Sequence, residues 1–174
     1  MPLKKTYTIA ETQAAIDRAD NANINQMRMV RNDISNQHFS QKNIKPKHRD
    51  KSLPQDLQYP GAKDVGHVFR HVNGTHEAGK SIYKDKQTAI LATRAVLNAT
   101  EGQQALQALE NELTTRTTYD NMTKRVRVDV SAGNHYGSDD NGKTWKKVII
   151  AQCELLSLGE TLWVHSSYPR TLQT

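Results

Sequence analysis

The chain has little aromatic content and almost no cysteine. One cysteine, Cys153, stands among 174 residues, so no internal disulfide can form. It sits in an apolar run and reads as a core residue rather than a catalytic thiol. Aromatic residues make up 6% of the chain and hydrophobic residues 36%, too few to place every segment in a packed core. No stretch approaches the roughly 18 consecutive apolar residues of a membrane helix, so no span is expected. Residues 1–5 lead into no long apolar segment, so no secretory signal is expected. No glycine-rich phosphate loop is present, which argues against nucleotide or ADP-ribose transfer. Acidic groups are also in deficit: 24 Lys and Arg face 18 Asp and Glu, a net charge of +6. That excess favours anionic partners such as nucleic acid, acidic proteins or membrane surfaces.

Two parts are legible. Residues 1–61 are polar and rich in Asn, Gln and Lys. Thr8-Ile9-Ala10-Glu11 has the form of a capping box, and a loose apolar stripe from Ala15 to Ile34 predicts a helix over residues 9–36. Lys42, Lys45, Lys47, Arg49 and Lys51, with Pro46, Pro54 and Pro60, read as an extended basic linker, so this part is a helical entry or tether region. Residues 62–174 read as the working domain. Short helices are predicted over residues 64–72, 85–97 and 102–115, the last two with apolar positions on one side. The period then changes. Residues 125–130 alternate strictly, and residues 147–156 and 161–166 are further strand candidates. Helices followed by strands predict an α+β fold: N-terminal helices, then a mainly antiparallel twisted sheet. Ser138-Asp139-Asp140-Asn141-Gly142-Lys143-Thr144-Trp145 matches the Asp-box hairpin pattern S-x-D-x-G-x-T-W. In it Asp140 accepts from turn amides, Gly142 permits positive φ and Trp145 packs over the turn.

The side chains able to carry chemistry fall in two separated segments. His67, Arg70, His71 and Lys80 lie in one; His165, Ser166, Ser167 and Tyr168 lie in the other. Cleaving RNA at a 2′-hydroxyl requires a base, an acid for the leaving 5′-oxygen, and donors or cations around the phosphorane-like state. Histidine suits the first two tasks, and Lys, Ser and Tyr suit the third. His67 and His71 are four apart and share a face if helical. That spacing also suits zinc, but no Glu follows His67 and no third ligand stands at supporting spacing, so neither metal nor cofactor is expected. Arg70 points to a different helix face and ranks lower. In the closing strand, alternation places Leu162, Val164, Ser166 and Tyr168 on one side and Trp163, His165 and Ser167 on the other, with Pro169 ending the strand.

At these residues the chain resembles the ribonuclease A-like toxin domain at the C-termini of bacterial contact-dependent inhibition (CdiA-type) proteins. That family's pattern opens with G-H-x-x-x-x-H-V-G, continues to S-[ST]-F-x-D-x-x-T-A and closes on T-x-Y-P. Here Gly66, His67, His71 and Val72 match the opening, with three residues between the histidines. Ser81, Tyr83, Asp85, Thr88 and Ala89 match the middle with Tyr for Phe, and Ser166, Tyr168 and Pro169 match the close with Ser for Thr. The resemblance implies an antibacterial ribonuclease that cleaves RNA, tRNA among the candidates, without a metal. By position its site holds His71 or His67, Ser166 and Tyr168. The family's arginine has no counterpart between Val72 and Ser81, and Lys80 is the nearest cation. A cognate acidic immunity protein is implied as a partner. So is delivery as part of a larger secreted or cell-surface effector that acts in the target-cell cytoplasm. Two alternatives stand beside this one: an EndoU-type or barnase-like ribonuclease toxin, and a non-enzymatic module that binds RNA or protein.

Overall fold

The computed structural model describes residues 6–21, 68–76, 78–111, 123–158 and 161–174. Helix α1 spans Ile9–Asn21 and opens on the expected capping box. The Glu11 amide donates to Thr8 Oγ1 at 3.1 Å, and the Thr8 amide donates to Glu11 Oε1 at 3.2 Å. The rest of the helix predicted to residue 36, and the basic linker after it, lie outside the described residues. The helix predicted over residues 64–72 is described only from Val68, where Phe69–His71 forms one 3-10 turn. Helix α2, Lys86–Asn98, is capped by Asp85, whose Oδ1 accepts from the Thr88 amide and hydroxyl, each at 2.7 Å. Helix α3, Thr100–Asn111, follows after one residue. The tight junction needs Gly102: a Cβ there would lie 1.9 Å from the Val96 carbonyl oxygen.

The sheet is organised by one long strand. Strand β1 is Ile82–Tyr83, β2 Thr123–Asp129, β3 Tyr136–Ser138, β4 Lys146–Leu158 and β5 Thr161–Leu172. β4 pairs antiparallel with β2, β3 and β5, and β3 carries β1 on its other side. The expected α+β class is therefore what the chain adopts: three α-helices and a curled antiparallel sheet among the described residues. None of the described helices is long and apolar enough to cross a membrane.

One face of the sheet supplies the core. Val126, Val128, Ala151, Cys153, Leu155, Leu162 and Val164 pack with Ile90, Val96 and Leu97 of α2 and Leu106 and Leu109 of α3. Cys153 is buried there, and burial pushes its thiol pKa up to about 12, as expected of an inert core residue. α1, which composition groups with the polar N-terminal part, contributes Ala15 and Ile16 to the same core. It is also clamped by polar groups. Arg18 donates to the Leu162 carbonyl from Nη2 at 2.8 Å and Nε at 3.1 Å, and Asn98 holds the Tyr7 backbone from both sides.

β5 departs from simple alternation. Glu154 pairs with Ser166, but Leu155 pairs with Val164, so His165 is an extra residue in a β-bulge. The bulge reverses the parity of the strand. Val164 and Ser167 both face the core, whereas Ser166 and Tyr168 face the other way. The expected grouping of Ser166 with Leu162 and Val164 is thus corrected, while the shared side of Ser166 and Tyr168 holds. Nor does Pro169 end the strand: it pairs with Ala151, and β5 runs on to Leu172. Among the described strands β5 pairs only with β4, and such an edge position tolerates a residue without an N–H.

Because Ile16 is fully buried against β5 and α2, Ile16→Ala is expected to lower the unfolding free energy by about 2–5 kcal/mol. Urea unfolding followed by circular dichroism measures it. A change within about 0.5 kcal/mol, the range of surface substitutions, would mean that α1 is not part of the cooperative core.

Candidate active site

The site forms where the 3-10 turn meets β5. His71 is buried, with its ring stacked on that of Tyr168 at a centroid distance of 5.0 Å and an interplanar angle of 24°. Its Nδ1 lies 2.7 Å from the Ser81 carbonyl oxygen. A carbonyl only accepts, so Nδ1 carries the proton and the lone pair is on Nε2. Burial holds the His71 pKa down to about 4, and the positive charges of Lys80 and Arg70 lower it further against the opposing pull of the Ser81 hydrogen bond. At neutral pH the imidazole is therefore uncharged and able to accept a proton.

The middle motif is scaffolding for this arrangement. Ser81 acts through its carbonyl on His71, and Asp85 and Thr88 make the cap of α2. Tyr83 is fully buried and its backbone carbonyl accepts from the Asn73 amide at 2.9 Å. The Tyr83 hydroxyl lies 3.0 Å from Ser167 Oγ, which is 2.7 Å from Thr93 Oγ1 and 3.4 Å from Cys153 Sγ. Thr93 has one proton, and the Ala89 carbonyl at 2.7 Å can only accept it. Ser167 therefore donates to Thr93 and accepts from Tyr83 and Cys153, which satisfies every hydroxyl in the cluster. The residue after Ser167 is Tyr168, so this buried knot fixes the ring on which His71 rests.

The Asp-box hairpin braces the other side. Ser138 Oγ donates to Asp140 Oδ1 at 2.6 Å and accepts from the Gly142 amide at 2.9 Å, while the Thr144 amide donates to Asp140 Oδ1 at 2.9 Å. These bonds hold the Asp140 pKa down to about 2. Gly142 has φ +86°, and the Trp145 ring covers it as expected. At the tip, Asn141 Oδ1 accepts from the Gly79 amide at 3.1 Å, which pins the segment that carries Lys80.

Of the five residues singled out from sequence, the fold brings His71 and Tyr168 into contact and puts Ser166 on the same sheet face as Tyr168. Lys80 lies near enough to act on the charge of His71. His67 lies outside the described residues. Arg70, ranked low on helical geometry, is 2% exposed and also acts on His71. The described part of this segment is a 3-10 turn, in which neighbouring side chains still diverge, so Arg70 acts on His71 through its charge rather than by sharing its face.

Sequence reasoning missed the floor of this face. Two rungs cross the sheet: Arg125, Glu154 and Ser166 in one, Arg127, Gln152 and Tyr168 in the next. Glu154 is 3% exposed, with Arg125 Nε 4.0 Å from its Oε2. The available signal was a Gln and a Glu at alternate positions of an otherwise apolar strand, opposite arginines at alternate positions of β2. Among the described residues no group of three or more His, Cys, Asp or Glu is placed to hold a metal.

No protein-family model matches the chain, and no curated protein matches it. One solved structure, titled as a CdiA-CT/CdiI complex from Y. kristensenii, is similar at 12% identity with a TM-score of 0.36, over 52% of this chain and 76% of that one.

The depressed pKa of His71 has a sign that can be checked. Between its ordinary value of 6.5 and about 4 the unfolded chain binds a proton that the folded chain refuses. Its contribution to stability is complete above pH 6.5 and is lost as the pH falls through that window, at up to about 1.4 kcal/mol per pH unit. Urea midpoints from pH 7 to 4 are expected to fall more steeply for the wild type than for His71→Gln. Equal slopes would contradict a buried neutral imidazole.

Proposed function

We propose that the protein is a toxin ribonuclease of the contact-dependent inhibition type, cleaving RNA by metal-independent attack of a 2′-hydroxyl on the adjacent phosphate. The observation that carries this reading is the held imidazole: His71 is uncharged, proton-bearing at Nδ1, and locked between the Ser81 carbonyl and the Tyr168 ring. In this mechanism Nε2 removes the 2′-OH proton, the 2′-oxygen bonds to phosphorus, and the 5′-oxygen leaves to give a 2′,3′-cyclic phosphate. The Tyr168 phenol is the candidate donor to the leaving oxygen, and Ser166 a donor to the phosphate. Lys80 and Arg70, which already act on His71, supply positive charge to the developing phosphorane. The order of the sequence elements, through Ser166, Tyr168 and Pro169, adds the resemblance to the CdiA-type toxins. With it come a cognate acidic immunity protein, delivery by a larger effector, and action in the target-cell cytoplasm.

A second reading follows from Glu154. Its buried carboxylate, in register with Ser166 and beside Arg125, is an alternative base. That arrangement suits a barnase-like ribonuclease better than one built on a histidine base.

Incubation of the purified protein with total RNA in EDTA is expected to yield fragments with 2′,3′-cyclic phosphate ends. His71→Ala should lose about 10²–10⁴-fold in rate, the usual contribution of a positioned base. For the wild type, kcat/KM should stay on its plateau well below pH 6.5 and fall only near pH 4. Absence of cleavage by the wild type would leave the binding-module alternative. Full activity in His71→Ala with loss in Glu154→Gln would move the base to Glu154.

A further inference from the structure

We infer that Arg127 and Arg170 form a second anion subsite, one that holds a phosphate of the RNA strand flanking the one cleaved. Gln152, at the middle of β4, is 6% exposed, and its Oε1 accepts from both arginines. Arg127 Nε reaches it from β2 at 2.8 Å, and Arg170 Nη1 reaches it from β5 at 3.1 Å. Two guanidiniums thus converge on one neutral oxygen. The amide orients them without cancelling their charge, and among the described residues neither forms an ion pair with a carboxylate. Their mutual repulsion, weakened by water because both are exposed, falls further when an anion sits between them. Arg127 has spent one donor of its fork and Arg170 one of its own. Both residues are exposed, so the remaining N–H groups are available to the oxygens of a phosphodiester.

The position of the pair says which phosphate it takes. Arg127, Gln152 and Tyr168 are register partners across three adjacent strands, so the Cα of Arg127 is about two strand spacings, roughly 10 Å, from that of Tyr168. His71 stacks on Tyr168, with Lys80 and Arg70 acting on it. The scissile phosphate therefore belongs beside His71 and the flanking phosphate beyond the Tyr168 ring. Arg170 stands two residues beyond Tyr168, on the same face by alternation, and is the extra residue of a bulge, since Ile150 pairs with Thr171 and Ala151 with Pro169.

This subsite rests on the ribonuclease reading for its substrate, but its test does not depend on turnover. The double variant Arg127→Gln/Arg170→Gln changes exposed side chains and is compared with the wild type in two assays. In the first, fluorescence anisotropy measures binding of a 2′-O-methyl RNA decamer, which cannot be cleaved, from 50 to 300 mM salt. The log–log salt slope is expected to become less steep by about 1.4, two contacts at about 0.7 each, and affinity at low salt to drop about 10- to 100-fold. In the second, kcat and KM are measured for a dinucleoside monophosphate, which holds only the scissile phosphate, and for a decamer. KM should rise for the decamer alone, with kcat changed by less than about twofold on both. An unchanged salt slope overturns the subsite whether or not the protein cleaves RNA. A loss of kcat on the dinucleoside overturns it too, because the pair would then act on the scissile phosphate. So does binding of polyglutamate, but not the decamer, through the same two arginines, which would make them a contact for an acidic protein. If the decamer binds as expected and no RNA is cleaved, the subsite stands and the ribonuclease reading falls.

Discussion

The hydrogen bond between the Tyr83 hydroxyl and Ser167 Oγ is the constraint on which the site depends. Tyr83 belongs to a strand of two residues, too short to be stable by its own ladder. Its phenol is buried in the core, anchored to β5 and linked through Ser167 to α2 and β4. The backbone two residues before it holds His71, and the residue after Ser167 is Tyr168. One buried bond thus sets two chain segments, 84 residues apart in sequence, so that an imidazole meets a phenol ring. The polar groups of the knot are all satisfied, so burying them costs little and the arrangement is specific.

Electrostatics divides the sheet face into two regimes. Around His71 the cations are partly or fully buried, and their field together with desolvation keeps the imidazole neutral. Around Gln152 they are exposed and gathered by an uncharged acceptor. In the neighbouring rung lies Glu154, whose carboxylate faces Arg125. A polyanion laid across this face meets cations at both ends.

Much of the fold was legible from sequence because its signals are local. Thr8 and Glu11, Asp85 and Thr88, and the run from Ser138 to Trp145 each close hydrogen bonds within a few residues, so their spacing alone specifies them. The strict alternation of β2 was legible for the same reason. What was not legible depends on pairing. Nothing in residues 162–168 marks His165 as an extra residue; that emerges only when Glu154 takes Ser166 and Leu155 takes Val164. The site was half legible for the same reason. His71, Ser166 and Tyr168 were found by chemistry and order, whereas Gln152, Glu154 and the arginines opposite them became neighbours only through register. The burial of Arg70 beside His71 was not legible either, because it depends on how the 3-10 turn packs against the rest of the fold.

The irregularity of β5 has a consequence for how the protein behaves among its own copies. A long edge strand with an unbroken row of amides is a template for another chain, and such edges seed aggregation. β5 is twelve residues long, but it is interrupted by Pro169 and by three register shifts along its pairing with β4. Its outward edge therefore offers a broken row of donors to an approaching strand. Among the described residues, the bulge at His165 that turns Ser166 and Tyr168 out of the core also breaks the regular row of donors along this edge.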